Sequence, residues 1–261
     1  MTRTEVSVRG AHATVRAPGL ADEVAVEEPL EIRVDGRPLA VTMRTPGHDD
    51  ELALGFLHGE GLIDGPRAAG PPEDFAANTV EVAGPLLREP DARAFFTSSS
   101  CGVCGKGALE QVAVHAPALA GAADELRIAR DLLADLPERL RQPTFARTGG
   151  LHATGLFTPA GELLAAREDV GRHNAMDKVI GWVLQQDGPP ALPLHGYVLC
   201  VSGRLSFELV QKAAVAGVPV LVGVGAPTSL AVRLADDRNL TLAGFARGGR
   251  VNVYTGTHRV T

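Results

Sequence analysis

Apolar and polar positions alternate in two different rhythms along this chain. Val24–Val34 and Pro38–Arg44 carry the two-residue rhythm of strands and flank Asp35-Gly36, a hairpin signal. Asp49 or Asp50 is expected to cap a helix through Leu52, Leu54, Phe56 and Leu57 that runs out at Gly59 and Gly61. Residues 64–77 are rich in Pro, Gly and Ala and read as a loop, and Asn78–Ala83 as a strand. Phe95-Phe96 lead into a stretch of serine, glycine and cysteine, with a helix expected over Ala108–Val114. Ala116–Ala123 reads as loose chain and Arg127–Leu140 as a helix ending before Pro143. Residues 1–23 carry no convincing period and are expected to form a loose arm.

The second half is more regular. Gly150–Phe157 and Glu162–Arg167 read as a hairpin around Thr158-Pro-Ala-Gly161. Asn174 is expected to cap a helix over Ala175–Gln186, with Asp177 near its third position, where a carboxylate favours the helix dipole. Tyr197–Val201 is a short apolar strand, Ser206–Ala216 a helix stopped at Gly217, and Val218–Val224 a continuous apolar run suited to a strand buried on both faces. A helix over Thr228–Asp236 and strands over Leu240–Phe245 and Val251–Tyr254 complete the pattern. Strands alternating with helices predict an α/β sheet with mostly right-handed crossovers. The expected organisation is an arm over 1–23, an N-terminal α+β portion over 24–125, and an α/β core over 126–261.

Three glycine-rich polar loops fall at the carboxyl ends of expected strands: Ser202-Gly203-Arg204, Gly225-Ala-Pro-Thr228-Ser229 and Ala246-Arg247-Gly248-Gly249-Arg250. Ligands of open α/β sheets lie at that edge. The first two loops open into helices whose free N–H groups suit phosphate, and Arg204, Arg247 and Arg250 add charge. An anion-binding edge is therefore expected. The plainer readings stand beside it: Arg247–Arg250 as an ordinary hairpin turn, Thr228 and Ser229 as helix caps.

At 261 residues and 45% hydrophobic, the chain can bury a substantial core. Its net charge of −6, without long blocks of one sign, argues against a nucleic-acid binder relying on phosphate contacts. The N-terminus lacks a signal-peptide core and no apolar run approaches membrane-spanning length, so a cytoplasmic protein without a membrane partner is expected. Three cysteines are too few for a disulfide framework.

Two of them lie in Ser98-Ser-Ser-Cys101-Gly-Val-Cys104-Gly-Lys106. This spacing serves a metal, a dithiol or a single reactive sulfur. Zinc needs two more ligands. Cys200 sits in an apolar strand, and His115, His152 and His173 lack finger-like spacing from the pair. A zinc deaminase wants H-x-E before P-C-x-x-C, whereas Ser100 precedes Cys101 and His152-Ala-Thr154 lies after the cysteines without a glutamate. A thioredoxin-like dithiol would sit directly between an early core strand and its helix, which these flanks do not provide. A sulfur carrier needs an accessible thiolate: Gly102 and Gly105 let the loop move, Lys106 and a following helix N-terminus lower a thiol pKa, and the second cysteine can resolve or share the sulfur. Cys200 is expected to be inert core.

Glu168-Asp169-Val-Gly171-Arg172-His173-Asn174 brings an acid, a base and an imidazole to a strand-to-helix turn. Its plainer reading is a solvated cap. His152, after Gly149-Gly150, is suited equally to core or site, and Trp182 to core.

In this order the motifs resemble the formate dehydrogenase accessory sulfurtransferase (FdhD-like) family. The resemblance runs from about Glu27 to Tyr254. It rests on Thr45-Pro-Gly with Gly55-Phe-Leu, Ser100–Lys106, Gly150-Leu-His-Ala153, Glu168–Lys178, Ser202–Glu208, Ala226–Ala231, and Gly244–Arg247 running to Asn252-Val-Tyr254. It implies a cytidine deaminase-like core without its zinc, the cysteine loop belonging to the smaller N-terminal portion. It also implies a sulfurtransferase that takes persulfide sulfur from a cysteine desulfurase. The sulfur passes to the molybdenum (or tungsten) bis(molybdopterin guanine dinucleotide) cofactor, bound as substrate, before that cofactor enters formate dehydrogenase. The resemblance puts the persulfide on Cys101 with Cys104 assisting, and the guanine contact on Phe245, Ala246, Arg247, Gly248, Gly249 and Arg250. Ser202, Gly203, Arg204 and Thr228 from the anion edge, and Arg172 and His173 from the turn motif, complete the candidate cofactor contacts. No metal ligands and no resident cofactor are expected. A homodimer would offer two sites to a two-fold cofactor. The alternatives are a non-catalytic, cofactor-binding chaperone of formate dehydrogenase and a zinc hydrolase of deaminase type.

Overall fold

The computed structural model describes residues 5–17, 20–89 and 118–261. Cys101, Cys104, Lys106, His115, Phe95-Phe96 and the helix expected over Ala108–Val114 lie outside the described residues.

Three sheets organise what is described. The first is a meander of β1 (Glu5–Arg9), β2 (His12–Ala17) and β3 (Leu20–Ala25), paired antiparallel throughout. The expectation of a loose arm is corrected here. The alternation is present, with Val6, Val8, Val15 and Val24 on one face and Glu5, Arg9, Arg16 and Glu23 on the other, but small residues such as Ser7, Ala13, Ala17 and Ala21 dilute it. The second sheet comprises β4 (Glu28–Val34), β5 (Arg37–Arg44), β6 (Ala69–Gly70) and β7 (Thr79–Val82) in the order β5-β4-β7-β6. Asp35 and Gly36 both adopt positive φ in the β4–β5 turn, as a two-residue hairpin loop requires. Helix α1 (Asp49–Gly59) covers this sheet, burying Leu52, Leu54 and Leu57 against Leu30, Ile32, Val80 and Val82. Its N-cap is His48, in the left-handed region, rather than Asp49 or Asp50; both aspartates lie in the first turn, where the dipole favours them.

Short helix α2 (Ala122–Glu125) is followed by α3 (Arg130–Arg139) and α4 (Phe145–Thr148). The third sheet holds β8 (His152–Phe157), β9 (Leu163–Asp169), β10 (Val198–Val201), β11 (Val220–Gly223), β12 (Thr241–Arg247) and β13 (Arg250–Val253). Their order is β13-β12-β11-β10-β8-β9, with β10, β11 and β12 parallel and the other pairings antiparallel. Helices α5 (Arg172–Leu184), α6 (Phe207–Val215) and α7 (Ser229–Asp237) cover one face, where Val179, Ile180, Leu209 and Ala213 meet Leu199, Val201 and Leu221. Helix α3 covers the other, packing Leu133 and Leu136 with Val198, Cys200, Val220 and Val222. Burial on both faces explains the continuous apolar runs of β10 and β11. Among the described residues no helix is long and apolar enough to cross a membrane.

Helix α5 begins at Arg172 with Gly171 as its N-cap, three residues before the expected start. The reason is tertiary. The Asn174 side chain does not cap; its Nδ2 donates to Met43 O at 2.8 Å and to Asp169 Oδ1 at 3.0 Å. Asp177 is likewise not a solvated first-turn carboxylate but is buried against Lys212 Nζ at 2.9 Å.

Candidate functional site

The carboxyl ends of β9, β10, β11 and β12 all lie on one edge of the third sheet. Strands β10 to β12 are parallel, and β9 regains their direction because it pairs antiparallel with β8, itself antiparallel to β10. The loops beyond β10 and β11 and the end of β12 are stitched to one another by backbone hydrogen bonds. Gly225 N donates to Gly203 O at 3.0 Å, Leu205 N to Ala226 O at 3.0 Å, Thr228 N to Leu205 O at 3.0 Å, and Phe245 N to Gly225 O at 3.2 Å. The glycines make this closeness possible. A Cβ on Gly225 would sit 2.9 Å from the Arg204 backbone, and one on Gly244 would sit 3.0 Å from Gly225 O.

Every described candidate except those diverted into the interior is found on this edge. Ser202 is committed to shape: its N–H donates to Ala153 O and its Oγ accepts from Ala153 N, both at 2.9 Å. Gly203 lies against His152, whose Nδ1 would be 3.3 Å from a Cβ there, so His152 belongs to the edge rather than to the core. Arg204 is exposed beside them. Thr228 is the N-cap of α7, and its Oγ1 accepts from Ala231 N at 3.2 Å, so the hydroxyl is used in capping. The amides of Ser229 and Leu230 in that first turn have no acceptor within the helix. At the far side, Arg247 pairs with Arg250 across Gly248-Gly249, both at positive φ, and all four residues are exposed. A β-bulge between Gly244 and Arg247 holds Phe245 at φ 54°, half exposed, while Ala246 turns into the core.

The Glu168–Asn174 motif divides between two jobs, which corrects the expectation that its acid, base and imidazole converge. Glu168 accepts from Thr144 N at 2.9 Å and Phe145 N at 2.7 Å, closing the N-terminus of α4. Asp169 is fully buried. It receives Lys178 Nζ at 2.7 Å, Thr45 N at 3.1 Å, Gly171 N at 2.8 Å and Asn174 Nδ2 at 3.0 Å, and so fastens the Thr45-Pro-Gly segment to the start of α5. Only Arg172 and His173 face the loop edge.

Around His173 the structure assembles partners that sequence reasoning left unassigned. Ser206 Oγ lies 3.1 Å from its Nε2, Arg172 Nε donates to the same nitrogen at 3.3 Å, and Glu208 Oε2 lies 3.3 Å from Nδ1. A donor aimed at Nε2 makes that nitrogen the acceptor and Nδ1 the protonated one, facing the carboxylate. Ser206 is the N-cap of α6 but makes no side-chain cap bond. The signal available in sequence was the Ser-Phe-Glu run at that helix start. Burial pushes the Glu208 carboxyl up. His152 is held below the ordinary imidazole value, first by burial and then by the charge of Arg172, so the positive charge of the edge comes from its guanidiniums.

Cys200 is buried, and burial drives its thiol far up, which leaves it without nucleophilic character as expected. Among the described residues no group of three or more His, Cys, Asp and Glu side chains is disposed to hold a metal ion. Taken together, the edge offers amide donors, guanidiniums and a half-exposed aromatic ring along one line of loops. That is a donor set for a phosphorylated ligand carrying a planar base.

A model of the FdhD/NarQ family matches residues 25–261. The chain is 50% identical over 258 residues to the sulfur carrier protein FdhD of Mycobacterium tuberculosis strain H37Rv, covering 92% of each. It is 51% identical to that of Streptomyces coelicolor, covering 92% of this chain and 89% of the relative. For that of Saccharolobus solfataricus the identity is 43%, covering 92% and 91%. Among solved structures, a protein from Desulfotalea psychrophila described as a candidate formate dehydrogenase accessory protein superposes with a TM-score of 0.73. It is 23% identical, and the match covers 100% of this chain and 99% of that one, a likeness of fold. With the match spanning all but the first two dozen residues, the chain belongs to the FdhD/NarQ family.

Proposed function

We propose that this protein is a sulfur carrier serving formate dehydrogenase. It accepts sulfur from a cysteine desulfurase as a persulfide on Cys101 and delivers it to the bis(molybdopterin guanine dinucleotide) cofactor. In this reading the protein acts in the cytoplasm, where reductants keep the thiols available. The third sheet and its helices are taken as a cytidine deaminase-like core. The observation that carries the reading is the single loop edge, with Arg172, Arg204, Arg247 and Arg250 around free helix amides, in a chain half identical to proteins named sulfur carriers.

The Cys101 thiolate attacks the terminal sulfur of the donor persulfide, forming the Cys101 persulfide and releasing the donor thiolate. Attack by the Cys104 thiolate on the Cys101 sulfur then forms a Cys101–Cys104 disulfide and releases hydrosulfide, the ligand delivered to the metal of the bound substrate. A dithiol reductant restores the pair. The pyrophosphates of the substrate pair with the arginines and first-turn amides, and the guanine base lies by Phe245–Arg250. Zinc is not required by any of these steps.

Intact mass after incubation with a desulfurase and cysteine tests the reading. The expected result is one added sulfur per chain, removed by reductant, absent in Cys101→Ala, and loss of formate dehydrogenase activation in the same variant. A Cys101→Ala protein that still activates the enzyme would leave a cofactor-binding chaperone instead.

A further inference from the structure

Ser206, His173 and Glu208 stand in a series that the proposed sulfur chemistry does not use. Ser206 Oγ lies 3.1 Å from His173 Nε2, and Glu208 Oε2 lies 3.3 Å from Nδ1 on the other side of the ring. The imidazole is 8% and the carboxylate 20% exposed, so water competes only weakly for the contact between them. Ser206 is itself partly exposed, where the loop after β10 enters α6.

The serine has given up the task its position offers. It is the N-cap of α6, yet its side chain makes no cap bond, whereas Thr228 at the same place on α7 does. Its oxygen is turned to the imidazole instead. With Nδ1 protonated towards Glu208, Nε2 is the acceptor for the Ser206 hydroxyl proton. The first amides of α6, at Phe207 and Glu208, have no acceptor within the helix. Covalent catalysis by serine needs a hydroxyl, a base within its reach, a group that orients the base, and donors for the oxyanion that develops. All four meet here.

We propose that Ser206, His173 and Glu208 are a nucleophilic triad that gives this protein an esterase activity of its own, towards carboxylic esters bearing a negative charge. The Ser206 oxygen attacks the ester carbonyl carbon and its proton passes to His173 Nε2. Collapse of the tetrahedral oxyanion, held by the first amides of α6, breaks the bond to the alcohol oxygen, which leaves with that proton. Water then attacks the acyl-serine, giving a proton to Nε2, and Ser206 departs with it as the carboxylic acid is released. Glu208 is the positioning residue, steadying the imidazolium at each transfer. Arg172 sets the substrate class. Its Nε donates to Nε2 at 3.3 Å, which puts a positive charge beside the serine and a competing donor on the base. An anionic group on the ester draws Arg172 to itself, so the contact that recognises the substrate also leaves Nε2 to the serine. This activity is independent of the sulfur-carrier reading.

A fluorophosphonate, which phosphonylates activated serines, tests it on the full-length protein without any variant. One adduct per chain is expected, mapped by peptide mass to Ser206. His173→Gln should slow labelling about a hundredfold or more. Anionic 4-nitrophenyl succinate should be hydrolysed faster than neutral 4-nitrophenyl acetate, a preference that Arg172→Ala abolishes. Glu208→Gln should move the pH midpoint of hydrolysis downward, because the imidazolium loses the carboxylate beside it; a merely structural loss would lower the rate at an unchanged midpoint. Wild-type protein that takes no label at Ser206, labelling undiminished in His173→Gln, or hydrolysis undiminished in Ser206→Ala would each overturn the proposal.

Discussion

Asp177 and Lys212 face each other at 2.9 Å between α5 and α6, with both side chains about 2% exposed. Burial raises the Asp177 carboxyl from 3.8 to about 7, while the charge of Lys212 opposes the rise. Burial alone would lower Lys212, yet the surrounding carboxylates of Asp177, Glu60 and Glu208 raise it, so the lysine remains charged. Because the folded pKa of Asp177 lies above the unfolded one, the folded state holds a proton that the unfolded chain has released between those values. The stability from this group is therefore fully present below about pH 4 and is lost as the pH rises towards 7. Urea-unfolding free energies measured across that window should decline with pH more steeply in the wild type than in Asp177→Asn. Identical slopes would remove Asp177 as the source.

Between elements, helices α1 and α5 cross at close range. Gly55 faces the backbone of Asp177, and Gly181 faces the backbone of Glu51, each so near that an added Cβ would collide with a carbonyl group. The crossing fastens the second sheet to the third. Glu51 reinforces it by accepting from Arg167 Nε at 2.5 Å and Nη2 at 2.6 Å. Gly55→Ala or Gly181→Ala should destabilise the protein by about 3 kcal/mol or more, because backbone on both sides leaves no side chain to move aside. Gly188→Ala, where nothing lies within 4 Å, is the control and should change the denaturation midpoint little. Losses equal to the control would mean that the helices separate without cost. The helix-forming pattern of Leu52, Leu54, Phe56 and Leu57 was readable in sequence. That Gly55 is a contact point was not, since its partner lies more than a hundred residues away.

Over the whole molecule, the loop edge is one electrostatic feature inside a chain of net charge −6. It gathers Arg172 from the start of α5, Arg204 from the loop ahead of α6, and Arg247 and Arg250 from the turn between β12 and β13. Calorimetry with GDP should show Arg204→Ala and Arg172→Ala weakening binding by roughly fivefold or more, and more so at low salt, where charge–phosphate attraction is least screened. GDP should bind better than ADP, and substitution of Arg247 or Arg250 should reduce that preference if the base lies at Phe245. Equal affinity for the two nucleotides would remove the guanine assignment and leave a general phosphate edge.

Alternation and apolar runs by themselves determined the strands and helices from β8 onward, because a strand buried on both faces must be apolar throughout and a polar glycine loop cannot be buried. For the same reason the edge loops at residues 202–204, 225–228 and 247–250 were identifiable before their neighbours were known. Tertiary structure alone decided how polar side chains are used. Asp169 and Glu168 were absorbed into fastening Thr45 and α4, the Asn174 side chain gave up capping to hold Met43 from within its helix, and Ser206 gave up capping to meet His173. A carboxylate or hydroxyl carries no mark of its partner in sequence. Its role follows from which distant backbone amide or charge the fold brings within hydrogen-bond reach, and from whether water can still compete there. The N-terminal meander illustrates the same limit for elements. Its alternation is diluted by small residues, and its polar face found a partner only when Arg147 arrived beside Glu23.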